Sequence, residues 1–373
     1  MRILSVLLIA LLFLLVNACS NSAPEDPFGY PFIKRLHLKR QPDSVYSGYK
    51  AFYLLTEDFE PLVESPLEIE SIREVLKFAS LLSSTYKVPW THFVDANTLA
   101  PAFVADDQGL KESCRAMIAD LRAMREAGDD CELHLHGPLN REVLDQLKAE
   151  EKLHLRRSGE SPGPYRQRRS FFYESFQRAG YRELVGSLTY GKRLLETAFY
   201  GDQQEVLAFR PGGWDHGNGE RDTQLYFGGL SDAGLIANSG LSTGEFGGRN
   251  WRIGADPGRN LATVLVGEKR LFEVYPTAGP GGYVNPVTPH DLSRLANSLT
   301  DEMPVIVAVY HLGALQRLDN ESKSSGAPKS DAELRAERGA LEREFKTVAD
   351  LAAAKVIYPI TLRELLAIVS EQQ

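Results

Sequence analysis

The chain has 373 residues, a formal net charge of −8, and 43% hydrophobic residues. That apolar share supports a sizeable core, in one large domain or two small ones. The acidic balance removes any global electrostatic case for nucleic acid as a partner, and it does not demand a strongly anionic substrate.

Met1-Arg2 is followed by ILSVLLIALLFLLV, an uncharged apolar run ending at Val16. The run has the size of a secretory hydrophobic region and is shorter than the ~20 residues a membrane-spanning helix needs. Next comes Val16-Asn17-Ala18-Cys19-Ser20, which resembles the lipobox of bacterial lipoproteins. The resemblance implies cleavage before Cys19 and lipidation of Cys19. Ser20 in place of Asp resembles the form sorted to an outer membrane. An ordinary signal peptide with an incidental cysteine is the plain alternative. The expected layout is therefore a lipoprotein signal peptide over residues 1–18 and a polar, proline-punctuated tether over 19–47 (APEDPFGYPF lies in it). A folded part follows over 48–373, anchored by lipid in the bacterial cell envelope and facing the periplasm.

From residue 48 onward, short apolar runs alternate with longer periodic ones. Tyr49–Thr56 reads as a strand and Leu67–Thr85 as a helix; Val88–Val94 (VPWTHFV) and Gly109–Gly128 repeat the pair. Cys131–His136 (CELHLH) is the next strand, with a helix near Arg141–Glu151. Later strand candidates are Val206–Arg210, Leu235–Asn238, Phe272–Tyr275, Val305–Tyr310 and Val356–Ile360. Helical runs cover Thr223–Ala233, Pro289–Leu299 and Asp331–Ala354. This alternation predicts an α/β fold with parallel strands, either a barrel or a doubly wound sheet. No internal repeat at a fixed period is visible. Basic Lys152–Arg169 and polar Asp319–Lys329 interrupt the pattern and read as solvated loops, although the first could also clamp an anionic glycan or headgroup.

Cys114 falls early in the Gly109–Gly128 helix and Cys131 follows that helix. At 1.5 Å per residue the two thiols stand on the order of 20 Å apart, too far for a disulfide. Two free, buried thiols are expected.

The residues that could carry chemistry gather at predicted strand ends. Residues i and i+2 of a strand share a face, so His134 and His136 project together while Leu133 and Leu135 point into packing. Gly137-Pro138 ends that strand at once, which puts both imidazoles at the edge where parallel α/β folds bind ligands. The pair could be metal ligands or hydrogen-bonded structural histidines. LLTEDFEP (Leu54–Pro61) ends another apolar strand in three acids. Asp58 and Glu60 share a face if the strand runs that far, and Glu57 reads as a solvated turn. Two histidines and one carboxylate make a common divalent-metal set, and a further carboxylate beside it could be a general base. FRPGGW places Arg210 at a strand end before a glycine-rich turn holding Trp214, a sugar-stacking platform or a core tryptophan. VIVAVYHLGAL delivers His311 at the end of its strand. His92 belongs to the packing, and His37, His154, His216 and His290 show no constellation.

Taken in order, these stretches resemble the motifs of the polysaccharide deacetylase family (carbohydrate esterase family four, the NodB-like domain). LLTEDFEP is similar to its first motif and HLHGP to its metal-binding histidine motif. The i, i+2 spacing is like that of a branch associated with lipopolysaccharide and cell-wall polysaccharide genes. FRPGGW, VYHLGAL and the closing ITLREL resemble later motifs, and the likeness spans roughly residues 48–366. It implies a distorted (β/α) barrel of about seven strands and a metal-dependent deacetylase of an N-acetylated cell-envelope or exported polysaccharide. In that reading Glu60, His134 and His136 hold a divalent ion, with Zn2+ the expected one. Asp58 is the general base, Arg210 holds Asp58, His311 is the general acid and Trp214 contacts the sugar; Asp58 and Glu60 could exchange roles. Two departures stand out: Asp58-Phe59 replaces the usual adjacent Asp-Asp, and Asn238 stands where many members carry aspartate. They leave open a catalytically degenerate lipoprotein that binds polysaccharide for export or assembly. A metal-dependent amide hydrolysis on peptidoglycan peptides is a third option. There is no Gly-x-Ser-x-Gly nucleophile elbow and no phosphate-binding loop.

Overall fold

The computed structural model describes residues 30–61, 66–135, 181–201, 203–212, 220–240, 260–277, 302–316 and 329–373. The first unit is β1 (Ile33–Arg35), β2 (Ala51–Phe59), α1 (Pro66–Tyr86), β3 (Thr91–Asp95), α2 (Gln108–Glu126) and β4 (Asp130–Leu135). After it come α3 (Tyr181–Leu195), β5 (Ala208–Pro211), α4 (Glu220–Asp232), β6 (Ala237–Asn238), β7 (Leu261–Val266) and β8 (Lys269–Val274). The chain then forms β9 (Val305–Tyr310), α5 (Asp331–Ala353), β10 (Ile357–Ile360) and α6 (Leu362–Glu371).

The ten strands among the described residues belong to one sheet in the order β1-β7-β8-β6-β5-β4-β3-β2-β10, with β9 also pairing β2. From β8 through β6, β5, β4 and β3 to β2, and on to β9 and β10, every pairing is parallel. The β1 and β7 pairings are antiparallel. The expected α/β class holds in one large sheet. Thr277, just past β8, exchanges two hydrogen bonds with Val307 of β9, at 3.0 and 2.8 Å, which links the β8 side of this path to the strand beside β2.

β2 is buried at every position, as a central parallel strand covered on both faces must be. Ala51, Tyr53, Leu55 and Phe59 face the layer that holds α1 and α2, with Ile69, Ile72, Leu76, Met117 and Leu121. Phe52 and Leu54 face the opposite side with Phe93, Val307 and the apolar face of α6 (Leu362, Leu365, Leu366, Val369). Both α5 and α6 start with a full capping box, at Ser330/Glu333 and Thr361/Glu364. Each satisfies donors that a helix start leaves bare.

Three expectations are corrected here. Residues 30–47, read as tether, join the fold, since β1 pairs β7 and Leu38 and Tyr46 are buried. Its short polar runs hid three strand residues whose partner lies more than 200 positions away. β7 was also missed, whereas the expected strand Phe272–Tyr275 falls largely on its hairpin partner β8; Gly267 at φ +59 makes the tight turn between them. Finally, β2 continues three residues beyond Thr56, so Glu57 is a buried strand residue rather than a solvated turn. The two cysteines are free and buried, as expected. The signal peptide, Cys19, the helices near Arg141–Glu151 and Pro289–Leu299, and both loop segments up to Pro328 lie outside the described residues.

Candidate active site

The parallel strands deliver their C-terminal ends to one edge, and register decides which side chains meet there. Asp58 is opposite Phe93, Asp95 opposite His134, and His134 opposite Arg210. Glu60 follows β2 by one residue and His311 follows β9 directly. Five residues singled out from sequence therefore come together at this edge: Asp58, Glu60, His134, Arg210 and His311.

Glu60 stands between the two histidines. Its Oε2 is 3.5 Å from His134 Nε2 and its Oε1 is 3.4 Å from His311 Nε2. Asp58 Oδ2 lies 3.7 Å from His311 Nε2, while Asp58 Oδ1 accepts a 2.7 Å hydrogen bond from Arg210. His134 Nδ1 is 2.9 Å from the Arg210 carbonyl oxygen. A carbonyl can only accept, so Nδ1 carries the hydrogen and Nε2 is the nitrogen turned toward Glu60.

Exposure separates the roles. Arg210 is fully buried and the Asp58 side chain is 5% exposed, whereas His311 is 40% exposed. Arg210 also stacks over the Phe93 ring at 3.9 Å. Burial alone would raise the Asp58 pKa. The Arg210 guanidinium, helped by His134 and His311, outweighs it and holds Asp58 below the usual carboxylate value. Asp58 is thus an anion with one oxygen tied down and the other facing the accessible histidine.

Among the described residues, no three His, Cys, Asp or Glu side chains gather closely enough to hold an ion as they stand. The third expected ligand, His136, lies outside the described residues, as does Trp214. The two expected ligands that are described have a spacing that suits an ion. Ligands on one tetrahedral Zn2+, at about 2.0–2.2 Å each, stand roughly 3.4 Å apart, and His134 Nε2 and Glu60 Oε2 are 3.5 Å apart. The carbonyl partner on His134 Nδ1 is the usual outer support of a ligating imidazole.

Sequence reasoning missed the residues that support this edge. Thr56 Oγ1 and Ser239 Oγ both accept from Arg210, at 2.9 and 2.8 Å. Asp95 is buried beside His134 in the register and accepts from the Asn97 backbone at 2.9 Å. Lone hydroxyls and a helix-capping aspartate carry no spacing signal. His92 does lie in packing, as expected, but it is charged packing. Its Nδ1 is 2.5 Å from Glu57 and its Nε2 is 3.7 Å from Asp129, on the helix side of the sheet. Burial works against the charged ring, yet Glu57 and Asp129 lift its pKa to about 9. Asn238, expected to weaken the site as a non-acid, is bonded to the buried carboxylate of Glu273 at 2.9 and 3.1 Å.

No family model matches the chain, and no curated protein does. Among solved structures, the chain is similar to Puue allantoinase, at 11% identity, TM-score 0.50, covering 94% of this chain and 97% of that one. It is also similar to a "putative polysaccharide deacetylase from Mycobacterium smegmatis", at 13% identity, TM-score 0.49, covering 91% and 96%. A mutant of BA3943, a CE4 family pseudoenzyme with restored enzymatic activity, matches at 11% identity and TM-score 0.31, over 82% of this chain and 65% of that one. At these identities the likeness to the allantoinase shows a shared fold and nothing of chemistry.

Proposed function

We propose that this protein is a metal-dependent deacetylase of an N-acetylated cell-envelope or exported polysaccharide, anchored to the envelope through Cys19. The observation that carries the reading is the meeting of Asp58, Glu60, His134 and His311 at one strand edge, with Arg210 bonded to Asp58 at 2.7 Å. The sequence motifs that resemble polysaccharide deacetylases fall on these same residues.

His134 and Glu60, with His136, would hold the ion, expected to be Zn2+. When bound, it would supply a Lewis acid for the acetyl carbonyl and a water of lowered pKa. Asp58 then acts as general base. Its Oδ1 is fixed by Arg210, and its Oδ2 remains to accept a proton. His311 acts as general acid toward the departing amine, because it is the most solvent-exposed of the five and can reach a bound glycan. His311 Nε2 stands 3.7 Å from Asp58 Oδ2, so the proposed acid and the proposed base face each other across the edge. Arg210 is a positioning residue, placing the base and keeping it ionised.

The test is acetate release by the purified full-length protein, with and without chelator, on a panel of acetylated glycans. Chelator-sensitive release supports the reading. Stoichiometric metal without release from any glycan replaces it with a polysaccharide-binding lipoprotein.

A further inference from the structure

Arg210 is gripped more tightly than a pairing with Asp58 requires. Its Nε donates to the Ser239 carbonyl at 2.8 Å, and one terminal nitrogen donates to Ser239 Oγ at 2.8 Å and Thr56 Oγ1 at 2.9 Å. The other terminal nitrogen goes to Asp58 at 2.7 Å. Ser239 therefore holds the guanidinium at two points, on the edge away from the carboxylate. A planar fork held at three nitrogens has its plane fixed, whereas one held by a single carboxylate oxygen can swing.

Ser239 is itself fixed from behind. Its N–H donates to the Phe209 carbonyl at 2.8 Å. The Asn238 amide is bonded to both Glu273 oxygens, and Asn238 Oδ1 accepts from Tyr226 at 2.8 Å. The Gly240 N–H lies 3.5 Å from Glu273 Oε1. Gly240 also packs so closely on β5 that a Cβ there would stand 2.4 Å from Pro211 Cδ. Buried residues of three adjacent strands thus converge on one hydroxyl and one carbonyl. Thr56 is similarly set, donating to the Ala308 carbonyl at 2.8 Å.

We propose that Ser239 is a positioning residue for the reaction: it sets the angle of Arg210 toward Asp58, and Glu273 holds it there through the Asn238–Gly240 turn. Thr56 is its partner on the β2 side. The inference rests on the deacetylase reading for its kinetic consequence, but the clamp itself can be measured apart from activity.

The experiment compares full-length wild type with Ser239→Ala, Ser239→Thr and Thr56→Val. Loss of a hydrogen bond to a charged group predicts about a ten- to hundredfold fall in kcat for Ser239→Ala and Thr56→Val, with KM within about twofold of wild type, because substrate contacts are untouched. Ser239→Thr restores the hydroxyl and recovers most of kcat. Wild-type kcat in both Ser239→Ala and Thr56→Val overturns the proposal. So does a Ser239→Thr protein that is folded and as slow as Ser239→Ala. The second readout is hydrogen exchange at the Arg210 Nη–H protons, followed by NMR, because Ser239→Ala removes the hydroxyl that a terminal nitrogen donates to and leaves the backbone carbonyl that Nε uses. It is slow in wild type and Ser239→Thr, and about tenfold or more faster in Ser239→Ala. If wild type releases no acetate, the deacetylase reading fails and exchange alone decides: equal rates in all proteins overturn the clamp.

Discussion

Replacing Arg210 by methionine removes the cation that lies against Asp58 while leaving a side chain of similar reach. Arg210 is fully buried and the Asp58 side chain is 5% exposed, so solvent cannot take over the lost partner. Removing one member of such a pair costs about 3–5 kcal/mol, because a buried charge loses its compensation. Ser239 and Thr56 lose a donor in the same step. The double variant Arg210→Met with Asp58→Leu removes both charges, and an apolar replacement of a buried pair is close to neutral. It should therefore recover most of the loss and lie about 2–3 kcal/mol or more above the single variant in stability. Urea unfolding at pH 7, followed by far-UV circular dichroism and by tryptophan fluorescence, measures each corner of the cycle. The sign with pH is also set. The folded pKa of Asp58 lies below its unfolded value, so its contribution is present above about pH 4 and is lost as pH falls below that. The Arg210→Met penalty should shrink over the same range. A single variant costing under about 1 kcal/mol, or a double variant no better than the single, would refute the claim that this buried pair is a coupled unit.

Other expectations follow from the buried titratable groups and the proposed ligands. Burial raises the pKa of half-buried Glu344, which accepts from Tyr53 and Tyr310, to about 8. The stability it contributes is full below its unfolded pKa and is lost as pH rises through about 8; His92, raised to about 9, adds a loss between its unfolded pKa and about 9. Unfolding free energy should thus decline from pH 5 to 9, with a smaller decline in Glu344→Gln; an identical slope would contradict the assignment. Burial pushes the Cys114 thiol up to about 12 and Cys131 well above the usual value. Both should resist a thiol reagent in the native protein and react once it is unfolded; rapid native reaction at either would contradict their packing. Elemental analysis of His134→Ala with His136→Ala should show at least a hundredfold weaker retention of one equivalent of Zn2+, and undiminished retention removes the ligand assignment.

The residues that meet at this strand edge were more legible in the sequence than the surrounding architecture. The i, i+2 face of a strand, together with a strand end marked by Gly137-Pro138, was enough to bring out His134. The acid-rich end of β2 brought out Asp58 and Glu60, because each side chain's direction depends on its own strand alone. The long-range pairings were not legible. Ile33 with Val264 and Thr277 with Val307 join segments with no local signal of partnership. Glu57 was misread for the opposite reason. Composition says that a glutamate beside an aspartate faces water, and only the register that sets it against His92 explains its burial. The departure at Asn238 likewise looked like a loss until β8 placed Glu273 beside it.

The central claim is that Asp58 moves a proton in an acetyl-transfer-to-water reaction at the edge it shares with Glu60, His134 and His311. The measurement is the acetate-release rate of Asp58→Asn against wild type, at matched bound zinc, on a glycan the wild type deacetylates. Asparagine keeps the shape and can still accept from Arg210, but it cannot take up a proton. The account predicts a fall of about 10²–10⁴-fold with zinc content unchanged. A rate within about twofold of wild type at equal zinc content would contradict it.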